Sequence, residues 1–307
     1  GLGDVYKRQP TYKPGEKFVR LMERLQTQTI LPDKIIIINT EEKFWKESVI
    51  SGIKGAEVVH ISRNEFDHGK TRAQAAKLTD SEFLIFFSQD AVPADDYTLE
   101  NLLKPFRDPQ IGAVYGRQLP DKDCRLIESY TRSFNYPGES RKKTKADLPK
   151  LGIKTFFCSN VCAAYRKSIY EKMGGFSYPA IFNEDMVMAG NMIKQGYAVF
   201  YAADARVVHS HNYTWGQQFR RNFDLAVSQA DHPEVFKGVP SEGEGMRLVK
   251  STAAYLVKKG KFWLIPSLVM SSGFKFLGYR LGKSYKRLPG NLIAKCTMNK
   301  GYWKNEN

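Results

Sequence analysis

The first regular pattern in the chain is an amphipathic helix followed by a buried strand. Within residues 16–28, apolar side chains recur every three or four positions, so they share one face of a helix. Four consecutive isoleucines then occupy positions 35–38. An apolar run of this kind has no polar face, which is typical of a strand in a parallel sheet.

The alternation of helix and strand continues as far as residue 87. Helical spacing predicts helices over 41–53 and 71–79, and short apolar runs predict strands over 57–61 and 83–87. Strands that are joined through helices lie parallel and are linked by right-handed crossovers. The pattern therefore predicts an α/β fold with a mostly parallel central sheet flanked by helices.

The carboxyl ends of these strands form the edge at which a ligand is expected, because ligands of open α/β sheets bind there. Asn39 and Thr40 end one strand, residues 62–64 the next, and Asp90 ends the most apolar strand of the chain. A carboxylate at that edge, together with phosphate oxygens, suits Mg²⁺ or Mn²⁺. A turn or a helix cap is the alternative role of Asp90.

The second part of the chain has a different character. Residues 117–155 are polar and basic, and we expect a helix and a mobile loop at the surface. A second apolar unit begins at Thr155 and ends in a strand that leads into His209 and His211. After about Trp215 the sequence predicts a helical, aromatic and basic tail.

The start of the chain does not fit the pattern. A parallel sheet requires an apolar strand ahead of Pro10, whereas Asp4, Lys7 and Arg8 place three charges there. We therefore expect that residues 1–9 do not form a strand, that they are not native sequence, and that the true first strand is truncated.

Composition adds a division between a nearly neutral part and a basic part. A length of 307 residues with 42% hydrophobic residues allows one large domain and an appendage. The net charge is +15, and residues 241–307, with 13 Lys and Arg against 3 Asp and Glu, contribute +10 of it. Such a basic surface binds polyanions, which are anionic lipids or nucleic acids.

Cysteine usage and the length of apolar runs bear on where the protein works. The four cysteines form neither a CxxC pair nor a regular framework, which favours a reduced, cytosolic chain without structural zinc. The longest apolar stretch, residues 262–274, has 13 residues, too few to span a bilayer.

Two pairs of charged residues lie at predicted helix starts. Lys70 and Arg72 lie beside a glycine immediately before a helix, which suits a diphosphate, although a capped helix with exposed cations has the same pattern.

Glu184 and Asp185 precede a predicted helix over 186–195. A carboxylate there can act as a base, or it can simply complement the helix dipole.

The two histidines His209 and His211 follow a strand and are separated by one residue, so their side chains point the same way. Imidazoles in this arrangement can bind a metal, although a histidine at the end of a strand is more often a surface residue.

Taken together, four motifs resemble those of family-2 glycosyltransferases. They are PTYKPG at 10–15, FDHGKTR at 66–72, SQDA at 88–91 and NED at 183–185. The second and third motifs resemble the bacterial rhamnosyltransferase members in particular. The resemblance covers about 10–213, with the motifs in the right order and at the right spacing.

The resemblance implies a GT-A nucleotide-diphospho-sugar transferase fold. The catalytic domain is expected over residues 10–214, with the donor site in 10–116 and the acceptor site and base in 117–214. A helical basic tail follows over residues 215–307.

The resemblance also implies roles for individual residues. Asp185 matches the catalytic base, and Asn183 and Glu184 are expected at the acceptor. A divalent cation, Mg²⁺ or Mn²⁺, is expected on Asp90 and His209, with His211 as the alternative ligand. The residues expected to bind the nucleotide-sugar donor are Thr11, Tyr12, Asn39, Asp67, His68, Gly69, Arg72, Gln89 and Asp90.

Three positions depart from the family pattern. Ser88 replaces the first acid of an Asp-x-Asp element, which leaves Asp90 as the carboxylate on the cation. Asn39 and Thr40 lie where an Asp more often contacts the nucleobase. Ala73 lies where Asn commonly follows the arginine.

The activity that this resemblance implies is a single in-line displacement with inversion at the anomeric carbon. We expect L-rhamnose to be moved from dTDP-rhamnose onto a polysaccharide or a lipid-linked glycan precursor. The tail is expected to pack on the catalytic domain, to hold the enzyme against anionic lipid at the inner face of the cell membrane, or both.

Other functions leave more of the sequence unexplained. A UDP-hexose donor is the nearest alternative. A non-catalytic basic protein that binds membranes or nucleic acid would explain the tail but not Asp90 and Asp185, and we expect no nucleic-acid partner because no recognised RNA-binding motif is present. A Rossmann oxidoreductase would need GxGxxG near Pro10, and a nucleotidyltransferase would need a Gly-rich basic loop there.

Overall fold

The computed structural model describes residues 5–239 and 242–304, in which nine strands form one sheet. The strands are β1 Val5–Tyr12, β2 Lys34–Thr40, β3 Ala56–Ile61, β4 Phe83–Phe87, β5 Val92–Pro93, β6 Ile111–Leu119, β7 Arg141–Lys143, β8 Cys162–Arg166 and β9 Ala198–Val208. Their order across the sheet is β3-β2-β1-β4-β8-β6-β9-β5, and β7 also pairs with β9.

Helices pack on both faces of this sheet and continue beyond it. They are α1 Glu16–Gln26, α2 His68–Lys77, α3 Thr98–Leu103, α4 Leu126–Asn135, α5 Leu148–Leu151, α6 Lys167–Lys172, α7 Glu184–Lys194, α8 Trp215–Asp231, α9 Pro233–Phe236, α10 Glu242–Lys258, α11 Ile265–Lys283 and α12 Gly290–Cys296. The predicted α/β fold is confirmed.

The first four strands pair in parallel, β1 with β2 and β4, and β2 with β3. In the second part, β8 is antiparallel to both β4 and β6, and β9 is parallel to β6 but antiparallel to β5 and β7. The parallel strands place the predicted donor residues at one edge. The antiparallel insertion of β8 joins the two parts of the chain into a single sheet.

The helix predicted over residues 41–53 is wrong. The segment forms two short 3₁₀ turns, Glu42–Phe44 and Glu47–Val49, and Glu41 has a positive φ of 67° that a helix does not accommodate. Trp45 and Ile53 nevertheless pack on the core. Their helical spacing therefore reflects separate turns that each contact the core.

The strand β1 begins inside the segment that was expected not to form a strand, so that prediction is wrong. Its main chain pairs with β2 on one side and β4 on the other. Main-chain hydrogen bonds hold a central strand, and charged side chains do not prevent them. Residues 1–4 lie outside the described residues, and the non-native origin of residues 1–9 stays a prediction.

The basic stretch that was expected at the surface contains a buried lysine. Lys143 in β7 is 3% exposed, and its ammonium donates hydrogen bonds to the carbonyls of Lys154 and Phe157. The ammonium also lies 4.7 Å from the centroid of the Tyr115 ring. Lys143 therefore fastens this segment to the sheet, because a buried cation needs such partners.

Alternation along β4 divides the core into two layers. Leu84 and Phe86 pack with residues of α7, whereas Phe83, Ile85 and Phe87 pack with residues of α1 and α3. All five side chains are buried. Each such side chain contributes about 1.5 to 3 kcal/mol when it leaves water, so β4 anchors both layers and holds the turn that follows it.

The tail packs on itself through a close approach of α8 and α11. Ser271, Gly278 and Gly282 are buried in α11. A Cβ at Gly278 would lie 2.2 Å from the carbonyl oxygen of Phe219, and a Cβ at Gly282 would lie 2.3 Å from that of Phe223. The two helices can approach this closely because these positions carry no side chain.

Hydrogen bonds hold the end of the tail on α8 and also tie it to the α/β part. Asp224 in α8 accepts from Thr297 Oγ1 at 2.6 Å and from Met298 N at 3.0 Å. Asn299 Nδ2 donates to the carbonyl of Ile181 at 2.6 Å. One of the two expected arrangements of the tail, packing on the rest of the protein, is therefore present.

Among the helices of the described residues, none combines the length and apolarity that a bilayer crossing requires.

The helix contact predicts that Gly278→Ala destabilises the protein by about 1 to 3 kcal/mol, because the added methyl group must push two backbones apart. The thermal unfolding midpoint measures this change. Gly273→Ala is the matched control, since this glycine of α11 has nothing within 4 Å of a Cβ. The control should be neutral or slightly stabilising. Equal midpoints for the two variants would contradict the close contact.

Candidate active site

Three side chains with metal-ligating atoms converge at one end of the sheet. Asp90 follows β4, whereas His209 and His211 follow β9, and the pairing of Val92 with Val208 brings the two segments together. Nε2 of His209 lies 3.4 Å from Asp90 Oδ1, and Nε2 of His211 lies 3.3 Å from Asp90 Oδ2. The three ligand atoms all lie within 4.8 Å of one another.

Gln118 determines which nitrogen of His209 faces Asp90. Its Nε2 donates to the Tyr136 hydroxyl at 2.6 Å and to Ser159 Oγ at 3.1 Å, so its Oε1 is the atom that meets His209 Nδ1 at 2.9 Å. His209 therefore donates from Nδ1, and the lone pair on Nε2 points at the Asp90 carboxylate. A shared cation satisfies two acceptors in this arrangement, so the site fits a divalent metal.

The protonation states of the three side chains also suit a metal. Burial lowers the pKa of His209, and it lowers the pKa of His211 to about 4. Burial acts to raise the pKa of Asp90, but in acid, where the histidines are protonated, the hydrogen bond and charge of His209 and the charge of His211 lower it to about 2. At neutral pH all three side chains offer lone pairs. One carboxylate and two imidazoles can together hold a divalent cation.

Predicted donor residues on β1 and β2 lie next to each other at the carboxyl edge. Thr11 is paired with Asn39 in the register of these strands, and both are buried. Within the described part of the chain, Thr11 Oγ1, Asn39 Oδ1 and Thr40 Oγ1 have no hydrogen-bond partner. Buried polar atoms without partners are costly, so this edge is suited to a polar ligand such as a nucleotide.

Tyr12 and Gln89 link this edge to the metal cluster. The Tyr12 N–H donates to Gln89 Oε1 at 2.9 Å, and Gln89 precedes the metal-site carboxylate in the sequence. The Tyr12 ring meets the Phe44 ring edge-on at 5.5 Å, and Lys13 Nζ lies 4.4 Å from the Phe44 centroid. The end of β1 is therefore held beside the turn that carries Asp90.

The start of α2 packs against the second part of the chain. Asp67 Oδ1 accepts from Lys70 N at 2.7 Å and caps the helix, while Oδ2 accepts from Ala180 N at 2.8 Å. A Cβ at Gly69 would lie 1.9 Å from the carbonyl oxygen of Ser177, so glycine permits this close packing. Asp67 therefore caps the helix, as the alternative interpretation of this motif predicted. Contacts of Asp67, His68 and Gly69 with the nucleotide-sugar donor stay predictions.

Arg72 and Glu184 form a buried ion pair between α2 and α7. Arg72 Nη1 lies 2.8 Å from Glu184 Oε1, and the two side chains are 10% and 5% exposed. Asn160 Nδ2 donates to the same oxygen at 3.0 Å, and Arg72 also donates to the carbonyl of His68. The structure thus gives both charges internal partners. A contact of Arg72 with the diphosphate, or of Glu184 with the acceptor, stays a prediction.

Asp185 lies directly beyond this ion pair and is partly exposed. Its Oδ2 accepts from Asn160 N and its Oδ1 from Met186 N, both at 2.8 Å. Burial, and next the negative charge of Glu184, raise the pKa of Asp185 to about 7. Burial acts to raise the pKa of Glu184, but the charges of Arg72 and His68 and the hydrogen bond from Asn160 together lower it. A carboxylate with a pKa near neutrality is suited to act as a general base.

Two donors in the same region have no partner among the described residues. Asn183 begins α7 with a positive φ of 72°, and its Nδ2 is buried without a hydrogen bond. Arg72 Nε is likewise buried and unpartnered. These atoms suit a polar ligand, which is consistent with the predicted role of Asn183 at the acceptor.

Two residues of the site, Gln118 and Asn160, were not predicted from the sequence. Asn160 contacts both acidic side chains, and its Oδ1 accepts from the Tyr165 hydroxyl at 2.8 Å. Neither residue carries a charge or belongs to a recognised motif. The available signal was position, since Gln118 is a buried polar residue near the end of the largely apolar strand β6.

Comparisons with other sequences agree with the arrangement of these motifs. The family model for Glycosyl transferase family 2 matches residues 10–174. The O-antigen chain rhamnosyltransferase RfbN of Salmonella typhimurium is 43% identical over 298 residues, which cover 96% of this chain and 95% of that protein. The O-antigen chain rhamnosyltransferase WbaN of Salmonella anatum is 41% identical over 299 residues, with coverage of 96% and 94%.

Solved structures share the fold at low sequence identity. The mannosyltransferase PcManGT of Pyrobaculum calidifontis, in complex with GDP-Man and Mn²⁺, is similar with a TM-score of 0.64 and 14% identity, over 93% of this chain and 88% of that one. Residues 1–349 of S. aureus TarS, in complex with UDP-GlcNAc, give a TM-score of 0.53 and 13% identity, over 92% and 91%. These similarities confirm the GT-A fold. Because the family model covers more than half of the chain and the relatives cover nearly all of it, the chain belongs to glycosyl transferase family 2.

Proposed function

We propose that this enzyme is an inverting rhamnosyltransferase that moves L-rhamnose from dTDP-rhamnose onto a lipid-linked precursor of a cell-surface polysaccharide. The observation that carries the proposal is a three-ligand metal site together with a separate carboxylate, Asp185, whose pKa is about 7. Identities of 43% and 41% to proteins named as O-antigen rhamnosyltransferases support the choice of sugar and product.

The reaction requires one base and one stabilised leaving group. Asp185 accepts the proton of the acceptor hydroxyl while that oxygen bonds to the anomeric carbon of the donor. The bond from this carbon to the diphosphate breaks at the same time, and the nucleoside diphosphate leaves with the electron pair. A divalent metal held by Asp90, His209 and His211 would neutralise the charge on that diphosphate. A single displacement of this kind inverts the anomeric centre.

The carboxyl edge of β1 and β2 accounts for nucleotide binding in this proposal. Thr11, Asn39 and Thr40 offer buried polar atoms to the base and ribose, and the exposed ring of Tyr12 offers a stacking surface. The hydrogen bond from Tyr12 to Gln89 supports this assignment, because it holds the end of β1 beside the turn that carries Asp90.

The tail gives the enzyme a surface for the inner face of the cell membrane. Val269, Met270, Phe276 and Leu277 recur at helical spacing on one face of α11 and are 43 to 59% exposed. Before this helix, Phe262 and Trp263 are 64% and 57% exposed and directly follow exposed lysines at 258, 259 and 261. Exposed apolar side chains beside cations are suited to an anionic membrane surface.

The donor proposal is tested by release of nucleoside diphosphate in the presence of Mn²⁺. We expect turnover of dTDP-rhamnose to exceed that of UDP-glucose and UDP-N-acetylglucosamine. Asp90→Asn should abolish this turnover while the protein remains folded, because it removes the carboxylate from the metal site. Turnover confined to a UDP-hexose would refute the donor, and full activity of Asp90→Asn would refute the metal site.

The base is tested by a pair of neighbouring variants. Asp185→Asn should lower kcat by roughly 10² to 10⁴-fold with little change in donor KM, because a general base is lost. A base works when it is deprotonated, so the wild-type rate should rise as the pH passes the Asp185 pKa of about 7. Glu184→Gln removes the negative charge that helps raise this pKa, so the rise should shift to lower pH.

Thermal unfolding of both variants establishes whether they are folded. A Glu184→Gln enzyme that is inactive at every pH, beside an Asp185→Asn enzyme of near wild-type rate, would reverse the assignment of the base.

The membrane proposal is tested by co-sedimentation with phosphatidylglycerol vesicles. Binding should fall as salt is added, because surface charges are screened. Phe276→Ser should weaken binding because it removes an exposed apolar contact, whereas Leu31→Ser, which alters an equally exposed residue outside the tail, should not. Equal binding to phosphatidylcholine vesicles would contradict the electrostatic part of the proposal.

A further inference from the structure

A lysine lies among the residues through which α11 packs on α8. Ser271, Lys275, Gly278 and Gly282 follow one another at intervals of four, three and four residues, so they share one face of α11. The other three are small and buried, and the two glycines lie against α8. The exposed apolar residues Phe276 and Leu277 lie on the other face. Lys275 therefore projects inward, away from the surface that we propose for the membrane.

Two arginines approach the same region from other elements. Arg132 in α4 donates to Gln118 Oε1, the oxygen that also meets the metal-site His209. Arg221 in α8 lies 5.7 Å from the centroid of the Tyr213 ring, which in turn lies 5.1 Å from the ring of His211. Both guanidinium groups are therefore next to residues that border the metal cluster.

The three cations are close enough to influence one another, and they outnumber the carboxylates around them. Burial lowers the pKa of Lys275, the Glu128 carboxylate raises it, and Arg221 and Arg132 lower it again. Glu128 itself accepts a hydrogen bond from Gln218 at 3.0 Å. Among the described residues, none of the three cations belongs to an ion pair. Arg221 also acts on the carboxylate of Asp224, so three positive charges face two carboxylates, and the remaining excess suits an anionic ligand.

The position of these cations favours the acceptor over the donor. The buried polar atoms suited to a nucleotide lie on β1 and β2, whereas Lys275 belongs to the tail, on the helix whose opposite face is apolar and exposed. A ligand with phosphate groups and a lipid chain would satisfy both faces of this region, with its phosphates at the cations and its chain at the membrane. A nucleotide sugar has no lipid chain.

We propose that Arg132, Arg221 and Lys275 form a subsite for the phosphate groups of an acceptor whose sugar is joined to a lipid through phosphate. This inference rests on the proposed function and adds the part of the acceptor that the enzyme binds. The tail contributes Lys275 directly to this subsite. Its packing on α8 then has a functional consequence, because it sets the distance between the phosphates and the base.

Farnesyl diphosphate is a suitable probe, because it has the lipid and the phosphates but no sugar. Binding is measured by titration calorimetry in EDTA, so that a metal at the donor site does not contribute. We expect the wild-type protein to bind farnesyl diphosphate and Lys275→Met to bind it about tenfold or more weakly, since a charge-assisted contact is lost. Lys275→Arg should retain most of the affinity. Lys283→Met, which alters an exposed lysine of the same helix, should leave it unchanged.

Two further ligands distinguish this subsite from a purely apolar groove and from the donor site. Farnesol should bind far more weakly than farnesyl diphosphate, and equal affinity would overturn the proposal in favour of the apolar groove. Binding of dTDP with Mn²⁺ should be the same in the wild-type protein and Lys275→Met. A matching loss of dTDP affinity would overturn it by assigning the cations to the donor. Turnover of dTDP-rhamnose by the wild-type enzyme tests the proposed function separately.

Discussion

The buried ion pair between Arg72 and Glu184 is the interaction on which the site depends. It joins α2, from the part of the chain with the predicted donor residues, to α7, which carries Asp185. Buried charges are tolerated when they are paired and hydrogen-bonded, and removing one partner of such a pair typically costs about 3 to 5 kcal/mol. Asn160 completes the arrangement, since its side chain binds Glu184 and its main chain binds Asp185. The same ion pair therefore helps to position Asp185, the proposed base, and the charge of Glu184 adds to burial in raising the pKa of Asp185.

The metal cluster could be predicted from the sequence to the extent that local patterns determined it. Asp90 and the two histidines each follow an apolar strand, and strand ends meet at one edge of a sheet. The short pairing of β5 with β9 places them in contact, and a strand of two residues leaves no periodic signal. Gln118 and Asn160 could not be predicted because their roles arise from contacts between elements distant in sequence. The prediction of a helix over residues 41–53 was wrong for the same reason. The spacing of its apolar residues reflects their packing on the core and not a helix.

The helix α11 shows how one sequence pattern can serve two contacts. Glycines on one face allow close approach to α8, and apolar residues on the opposite face remain exposed. A helix of this kind has a weak overall amphipathic signal, because both of its faces consist mostly of uncharged residues. Its basic character comes from Lys275, Arg280 and Lys283 and from the segment that precedes it. Packing on the protein and contact with a membrane are therefore compatible in this tail.

The two carboxylates of the site have pKa values shifted in opposite directions, and this difference supports the roles that we propose for them. The histidines beside Asp90 keep its pKa near 2, so it is ionised throughout the physiological range and can hold a cation. Burial and the adjacent Glu184 raise the pKa of Asp185 to about 7, so it can accept a proton from a hydroxyl and release it again near neutral pH. Environments that separate the pKa values of nearby acids are characteristic of sites that combine electrostatic stabilisation with proton transfer. The opposite assignment does not fit the two environments. Asp90, with its low pKa, is too weak a base to take a proton from a hydroxyl. Both oxygens of Asp185 already accept main-chain hydrogen bonds, so they are less suited than those of Asp90 to hold a cation.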